Sequence, residues 1–336
     1  VVQVRQAEDL ADLSEESFMK LLRLFPDHTR FGFMRFRRLA FPFSAALSVA
    51  TIVLFFSVSM NFGIDFTGGT LIEMQAKSGK VAIAEVRRTA EGLGLGEPEV
   101  QEFGDRGEVS MRFGLQPGGE AGQKVVIDKV RAAFAADYEF RRIEVVGPRV
   151  SGELVQSGTI GVVLAILAVL VYLWFRFEWQ FAAGAVIATL HDLILTIGFF
   201  CLSRIEFNMT SIAAILTIVG YSLNDTVVVF DRIRELMRKY KKMPISELLD
   251  LAINQTLART FLVSFTAALA LVALVIFGGN VISSFSWAML FGVIVGTYSS
   301  IFIAAPVLIY LGLKTGDGAV AEKADADARV AGKPAV

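Results

Sequence analysis

Four ionisable residues stand inside or beside long apolar runs, and any chemistry begins with them. Asp225 lies in Gly220-Tyr221-Ser222-Leu223-Asn224-Asp225-Thr226, a few residues before Phe230. Arg259 immediately precedes Thr260–Leu313, a stretch with no charged residue. His191 and Asp192 interrupt the apolar run Phe181–Leu202. A charge at mid-membrane costs about 2.5–3.5 kcal/mol on insertion scales, so each of these needs a reason. A carboxyl in such a place must be neutral, paired or wet, and it can exchange protons near neutral pH. Asp225 is read either as such a proton-binding group or as a group that only joins helices by hydrogen bonds. Arg259 is expected at a depth similar to Asp225. It either pairs with that carboxylate or snorkels to the headgroups. Adjacent helix positions are about 100° apart, so His191 and Asp192 are expected to point different ways. Each is either a relay group or a packing and hydrogen-bonding residue.

Those residues need spans to hold them. Of 336 residues, 54% are hydrophobic and 19% charged, with 28 phenylalanines. This balance argues against a soluble enzyme or a disordered chain. The net charge of −1 offers no general field for nucleic acid. The lone Cys201 excludes an intramolecular disulfide, and two histidines leave little for an imidazole metal centre. A span needs about 20 apolar residues. Uncharged or nearly uncharged runs place spans at 39–60, 157–175, 181–202, 209–230, 260–277 and 287–311. Gly278-Gly279-Asn280 and Ser283-Ser284 divide the last two. The first span is not a cleavable signal, because the polar segment 1–38 precedes it. Val1 is not a methionine, so the natural start is expected upstream.

Six spans put both termini on one side. Seven Lys and Arg precede the first span, six lie between Arg232 and Lys242 in the 231–259 loop, and four in the tail 314–336, which is expected to be disordered. The positive-inside rule puts these segments in the cytoplasm and 61–153 outside. That outside segment is too long for a bare loop. Its periodicities predict strand Thr70–Gln75, helix Val81–Leu93, strands Glu99–Phe103 and Glu108–Phe113, helix Gly122–Ala136 and strand Tyr138–Val146. The order βαββαβ is the ferredoxin-like, split-βαβ motif. One sheet face is expected to be covered by helices and the other to be open to a partner. Gly68-Gly69 does not lead from a strand into a helix as a phosphate loop must, and no G-x-S-x-G, H-E-x-x-H or C-x-x-C occurs. Gly292-x-x-x-Gly296 permits close helix packing.

Several strings resemble the SecD/SecF family of the resistance-nodulation-division superfamily. They are Phe62-Gly63-Ile64-Asp65-Phe66-Thr67-Gly68-Gly69-Thr70, Val146-Gly147-Pro148, His191-Asp192, the string Gly220 to Arg232 around Asp225, and Asn254-Gln255-Thr256-Leu257-Ala258-Arg259-Thr260. The resemblance implies a six-span protein of the bacterial inner membrane with a ferredoxin-like periplasmic domain. It implies a proton relay at Asp225 with a functional arginine at Arg259, and motif positions at Asp65, Gly68, Gly69, Gly220 and Asn224. The coupling ion would be the proton, with no other cofactor, no metal and no enzymatic reaction of its own. Implied partners are SecD, which supplies a further aspartate, the SecYEG channel, YajC, YidC, membrane lipid and the translocating preprotein. SecA would supply the ATP-driven steps that come first. The family includes fused SecD–SecF chains, and one six-span set reads as an unfused chain. Two other functions fit: a small-molecule exporter of the same superfamily, and a passive translocon scaffold. The small outside domain disfavours the exporter, and Asp225 disfavours the scaffold.

A cysteine placed in the 278–284 turn should label from outside with a membrane-impermeant reagent, and one at 235–245 should not. The opposite pattern would invert the orientation.

Overall fold

The structure, a computed structural model, describes residues 29–103 and 107–315. His28, most of the 1–38 segment and the tail beyond residue 315 lie outside the described residues, and with them the disorder expected of that tail. Among the described residues six helical stretches are long and apolar enough to cross a membrane. The first is α1 (Arg37–Val58), entered through a 3₁₀ turn at Phe33–Phe36. A single helical turn, α2 (Ile64–Thr67), then leads into a small domain.

That domain runs β1 (Gly69–Ala76), α3 (Ile83–Glu91), β2 (Glu99–Phe103), β3 (Glu108–Phe113), α4 (Glu120–Phe134) and β4 (Tyr138–Val146). Its four strands lie in the order β2-β3-β1-β4, every neighbour antiparallel. The period-two pattern has its physical cause in one buried face. Ile72, Met74, Val109, Met111 and Phe113 meet Val86 and Ala90 of α3 and Val126, Val130 and Phe134 of α4. The helix ends differ from the sequence reading. Gly92 caps α3 early, and Gly119, with positive φ, starts α4 two residues sooner.

The membrane helices follow as α5 (Pro148–Arg176), α6 (Trp179–Ser203), α7 (Met209–Lys239), α8 (Ile245–Phe277) and α9 (Ser283–Ser299). The sixth stretch continues through a π-turn, Ser300–Ala304, into α10 (Ala305–Tyr310). Pro148 at the start of α5 costs nothing, because the first helical N–H has no intrahelical partner. Asn208 caps α7 in a reciprocal box with Ser211. The 231–259 loop of the sequence reading is instead mostly helix. With 31 and 33 residues, α7 and α8 are about 46 and 50 Å long, well beyond about 30 Å of hydrocarbon. The Asn254 amide on α8 bonds the backbone of Phe31 on both sides, and Asp250 accepts from the Met34 N–H. These bonds lay the entry segment along α8. Gly292 and Gly296 form the seam of α9 against α7. A Cβ on Gly292 would strike Ile218, and one on Gly296 would lie 3.3 Å from the Ser222 Cβ.

The second sheet face is not as open as its sequence suggests. Arg112 on β3 donates to Asn61 Oδ1 and the Phe62 carbonyl, both at 3.1 Å, and pairs with Glu99 and Glu206, both at 2.9 Å. Glu206 belongs to the α6–α7 connection, whose Phe207 bonds Asn61 and Gly63 through the backbone. A single guanidinium thus ties the sheet to the ends of the spans nearest it. Two positive-φ glycines make the junction. Gly68 ends α2, and a Cβ at Gly69 would collide with the Phe113 carbonyl, so this pair serves close backbone approach. Asp65 accepts from the Met209 N–H at the start of α7.

Burial pushes the Glu206 carboxyl above the usual range, and Arg112 draws it only part of the way back. Glu73 on the same face is raised for the same reason, against Arg142. Protonation therefore favours the docked sheet. That contribution is complete below the ordinary carboxylate pKa and is lost as pH rises through the raised value. The melting temperature in detergent should fall as pH rises from about 4 to 7, and Glu206→Gln should flatten part of that slope. An unaltered slope would exclude Glu206 as its source.

Candidate functional site

Two carboxyl groups lie among the packed helices, each held by hydroxyls. Asp192 on α6 is 1% exposed. Its Oδ2 accepts from Ser222 Oγ of α7 at 2.5 Å and from Ser299 Oγ of α9 at 2.7 Å. Its Oδ1 meets His191 Nδ1 at 3.1 Å. His191 and Asp192 were expected to point apart, and the structure corrects this. Their Cβ atoms do diverge, but the long imidazole arm folds back so that the two tips meet. His191 Nε2 is buried without a hydrogen-bond partner, and its ring lies beside Tyr298. The Tyr298 hydroxyl is 2.9 Å from Ser44 Oγ on α1.

Asp225 on α7 lies one helical turn from Ser222. Thr260 Oγ1 of α8 donates to its Oδ1 at 2.6 Å, and Ser300 Oγ of the π-turn donates to its Oδ2. Nearby, Tyr221 donates to Ser264 at 3.0 Å, and Ser264 lies 2.7 Å from Thr297. The site is therefore a run of hydroxyls joining α6, α7, α8 and the sixth span around two carboxyls. Each carboxyl can remain in hydrocarbon because its oxygens are satisfied.

The ion pair considered between Asp225 and Arg259 is not formed. Thr260 takes the place beside Asp225, and a neighbouring helix position is turned by about 100°. Arg259 instead lines a cavity of about 840 Å3 at the polar ends of α7 and α8, with Arg232, Arg238 and Gln255. Arg232 bonds Gln255 at 2.7 Å, and across the cavity Arg176 holds Asp231. Gly220 and Asn224 are exposed on the face of α7 turned away from the bundle, and a Cβ at Gly220 would meet nothing. Asp65, Gly68 and Gly69 lie apart from the carboxyls, at the junction of the small domain with the spans.

The comparisons with known proteins bear on this arrangement. A family model described as "Protein export membrane protein SecD/SecF, C-terminal" matches residues 125–314, and one described as "SecD/SecF GG Motif" matches residues 54–80. The chain belongs to the SecD/SecF family. Protein translocase subunit SecF of Rickettsia rickettsii is 43% identical over 289 residues, covering 85% of this chain and 94% of that protein. Protein translocase subunit SecDF of Brucella abortus is 42% identical over 306 residues, covering 91% of this chain. This chain spans 40% of that longer relative. The crystal structure of SecDF, a translocon-associated membrane protein from Thermus thermophilus, aligns with a TM-score of 0.78 at 32% identity. The alignment covers 86% of this chain and 40% of that one.

Within this SecD/SecF chain, sequence reasoning singled out the carboxyls and missed their donors. Ser222, Thr260, Ser299 and Ser300 look unremarkable in apolar runs. The usable signal was physical: a carboxyl in hydrocarbon needs donors, and hydroxyls within spans are the cheapest supply.

Asp192→Leu should melt below the parent. Among the described residues it removes the only acceptor of the Ser222 hydroxyl, a loss of about 1–3 kcal/mol for a buried group. Asp192→Asn keeps the shape and one accepting oxygen and should melt close to the parent. Equal melting of the parent and Asp192→Leu in detergent would show that these bonds do not hold the bundle.

Proposed function

We propose that this chain is the SecF-type accessory subunit of a Sec protein translocase. With SecD it uses the proton-motive force to promote late steps of preprotein translocation across the bacterial inner membrane, after the ATP-driven steps of SecA. The observation that carries this reading is Asp225, a carboxyl inside a membrane-spanning helix held by two neutral hydroxyls. A protonated Asp225 is neutral and suited to hydrocarbon. An ionised one draws on Thr260, Ser300 and the cationic cavity that Arg259 lines. The proton arrives from the outside and leaves toward that cavity. The helix packing around Asp225 then has two arrangements, biased by one proton.

The outside domain receives that bias. The strand order β2-β3-β1-β4 with two helices on one face supports a ferredoxin-like, split-βαβ domain. The Lys and Arg distribution favours a periplasmic position for it and cytoplasmic termini. Arg112 and Asp65 link it to the start of α7, the helix that carries Asp225. SecD belongs against the open face of α7, where Gly220 allows close approach and Asn224 awaits a polar partner. The larger company is SecYEG, YajC, YidC and the emerging preprotein. The chain itself carries out no enzymatic reaction and needs no cofactor beyond the coupling proton.

Asp225→Asn keeps shape and hydrogen-bonding capacity and cannot ionise. It should assemble with SecD yet lose the uncoupler-sensitive fraction of preprotein translocation into inverted vesicles, and Asp225→Glu should keep part of it. An Asp225→Asn subunit with the parent's uncoupler-sensitive fraction would favour the scaffold over the proton-driven subunit.

A further inference from the structure

The two carboxyls lie on different helices, yet their donors on the sixth span are consecutive residues. Ser299 Oγ donates to Asp192 Oδ2 at 2.7 Å, and Ser300 Oγ donates to Asp225 Oδ2. Each hydroxyl also has a second acceptor one turn back on its own helix. For Ser299 it is the Gly296 carbonyl at 3.1 Å, and for Ser300 the Thr297 carbonyl at 3.1 Å. A hydroxyl has one proton to donate and two lone pairs to accept with. Two acceptors therefore compete for one proton at each serine.

The competition has a definite outcome in each protonation state. An ionised carboxylate only accepts, so the serine O–H points to it. A protonated carboxyl can donate its own O–H to the serine oxygen, and the serine proton then turns to the carbonyl. The direction of donation reverses, and the serine shifts with it between the carboxyl and the backbone carbonyl. The serines meet at the point where the helix changes to the π-turn Ser300–Ala304. Pro306 follows, and it has no N–H with which to continue the α pattern. Single π-turns inside α-helices concentrate at functional sites. Here the junction turns one serine to Asp192 of α6 and the next to Asp225 of α7. One planar peptide unit joins them, so a displacement of one is imposed on the other.

We infer that Ser299 and Ser300 are positioning residues that couple Asp192 to Asp225 through the π-turn, so that the state of one carboxyl alters the hydrogen bonding of the other. The inference deepens the proton-driven reading of Asp225, and its geometry does not depend on translocation. The polar and charged groups that face Asp225 are Tyr221, Thr260, Ser300 and Arg259. Those that face Asp192 are His191, Ser222 and Ser299. Ser299 and Ser300 are the link that lies on one short segment.

Infrared difference spectra of the full chain, purified with SecD into lipid, test the coupling. The Asp192 carboxyl band is first assigned through Asp192→Asn. Asp225→Asn should then shift the Asp192 band in the otherwise unaltered protein. The shift should be lost when Ser300→Ala is present and retained with Ser300→Thr, which keeps the hydroxyl. Ser299→Ala, which leaves the donors of Asp225 in place, should abolish it as well. An undiminished shift in both alanine backgrounds, or no shift in the parent, would overturn the coupling. Neither outcome bears on the vesicle assay, so failure of the proton-driven reading and failure of the coupling remain distinguishable.

Discussion

Hydrocarbon does not hydrogen-bond, and that constraint organises the membrane half of this protein. A carboxyl group placed there must find its donors within the protein. Asp192 finds them on α7 and α9, so three helices are held in one register by one side chain. The approach this requires is possible because Gly296 brings the α9 backbone against Ser222. The glycine seam and the buried carboxyl are two parts of one solution: the first sets the distance, and the second rewards it. Asp225, one turn along α7, repeats the arrangement with α8 and the π-turn.

The small domain depends on a different kind of contact. Arg112 is almost fully covered and serves acceptors from the sheet, from the segment after α1 and from the α6–α7 connection. A planar guanidinium with five donors suits that task better than an ammonium. It makes the small domain part of the bundle rather than an appendage on a tether. A separate contact, from the Met209 N–H to Asp65, links this junction to the start of α7. The start of α7 and the sheet are thus joined by hydrogen bonds and an ion pair over a short and continuous path.

Much of this protein was legible in its residues alone. Six spans follow from charge-free runs, because the cost of burying a charge in lipid leaves a strong trace in composition. The small domain follows from two periodicities, because one buried face forces alternation in strands and a 3.6 repeat in helices. Asp192 and Asp225 stand out as charges where charges are rare. The tertiary structure decided everything that depends on which helix faces which. Sequence spacing placed Arg259 level with Asp225, and only packing turned Thr260 to the carboxyl and Arg259 to the cavity. Spacing separated His191 from Asp192, and side-chain reach joined them. The hydroxyls of Ser222, Ser299 and Ser300 leave no mark in composition, since a neutral hydroxyl in a span is far cheaper than a charge. Their role comes from rotation about a helix axis and from one π-turn, and both are set by contacts between residues far apart in the chain.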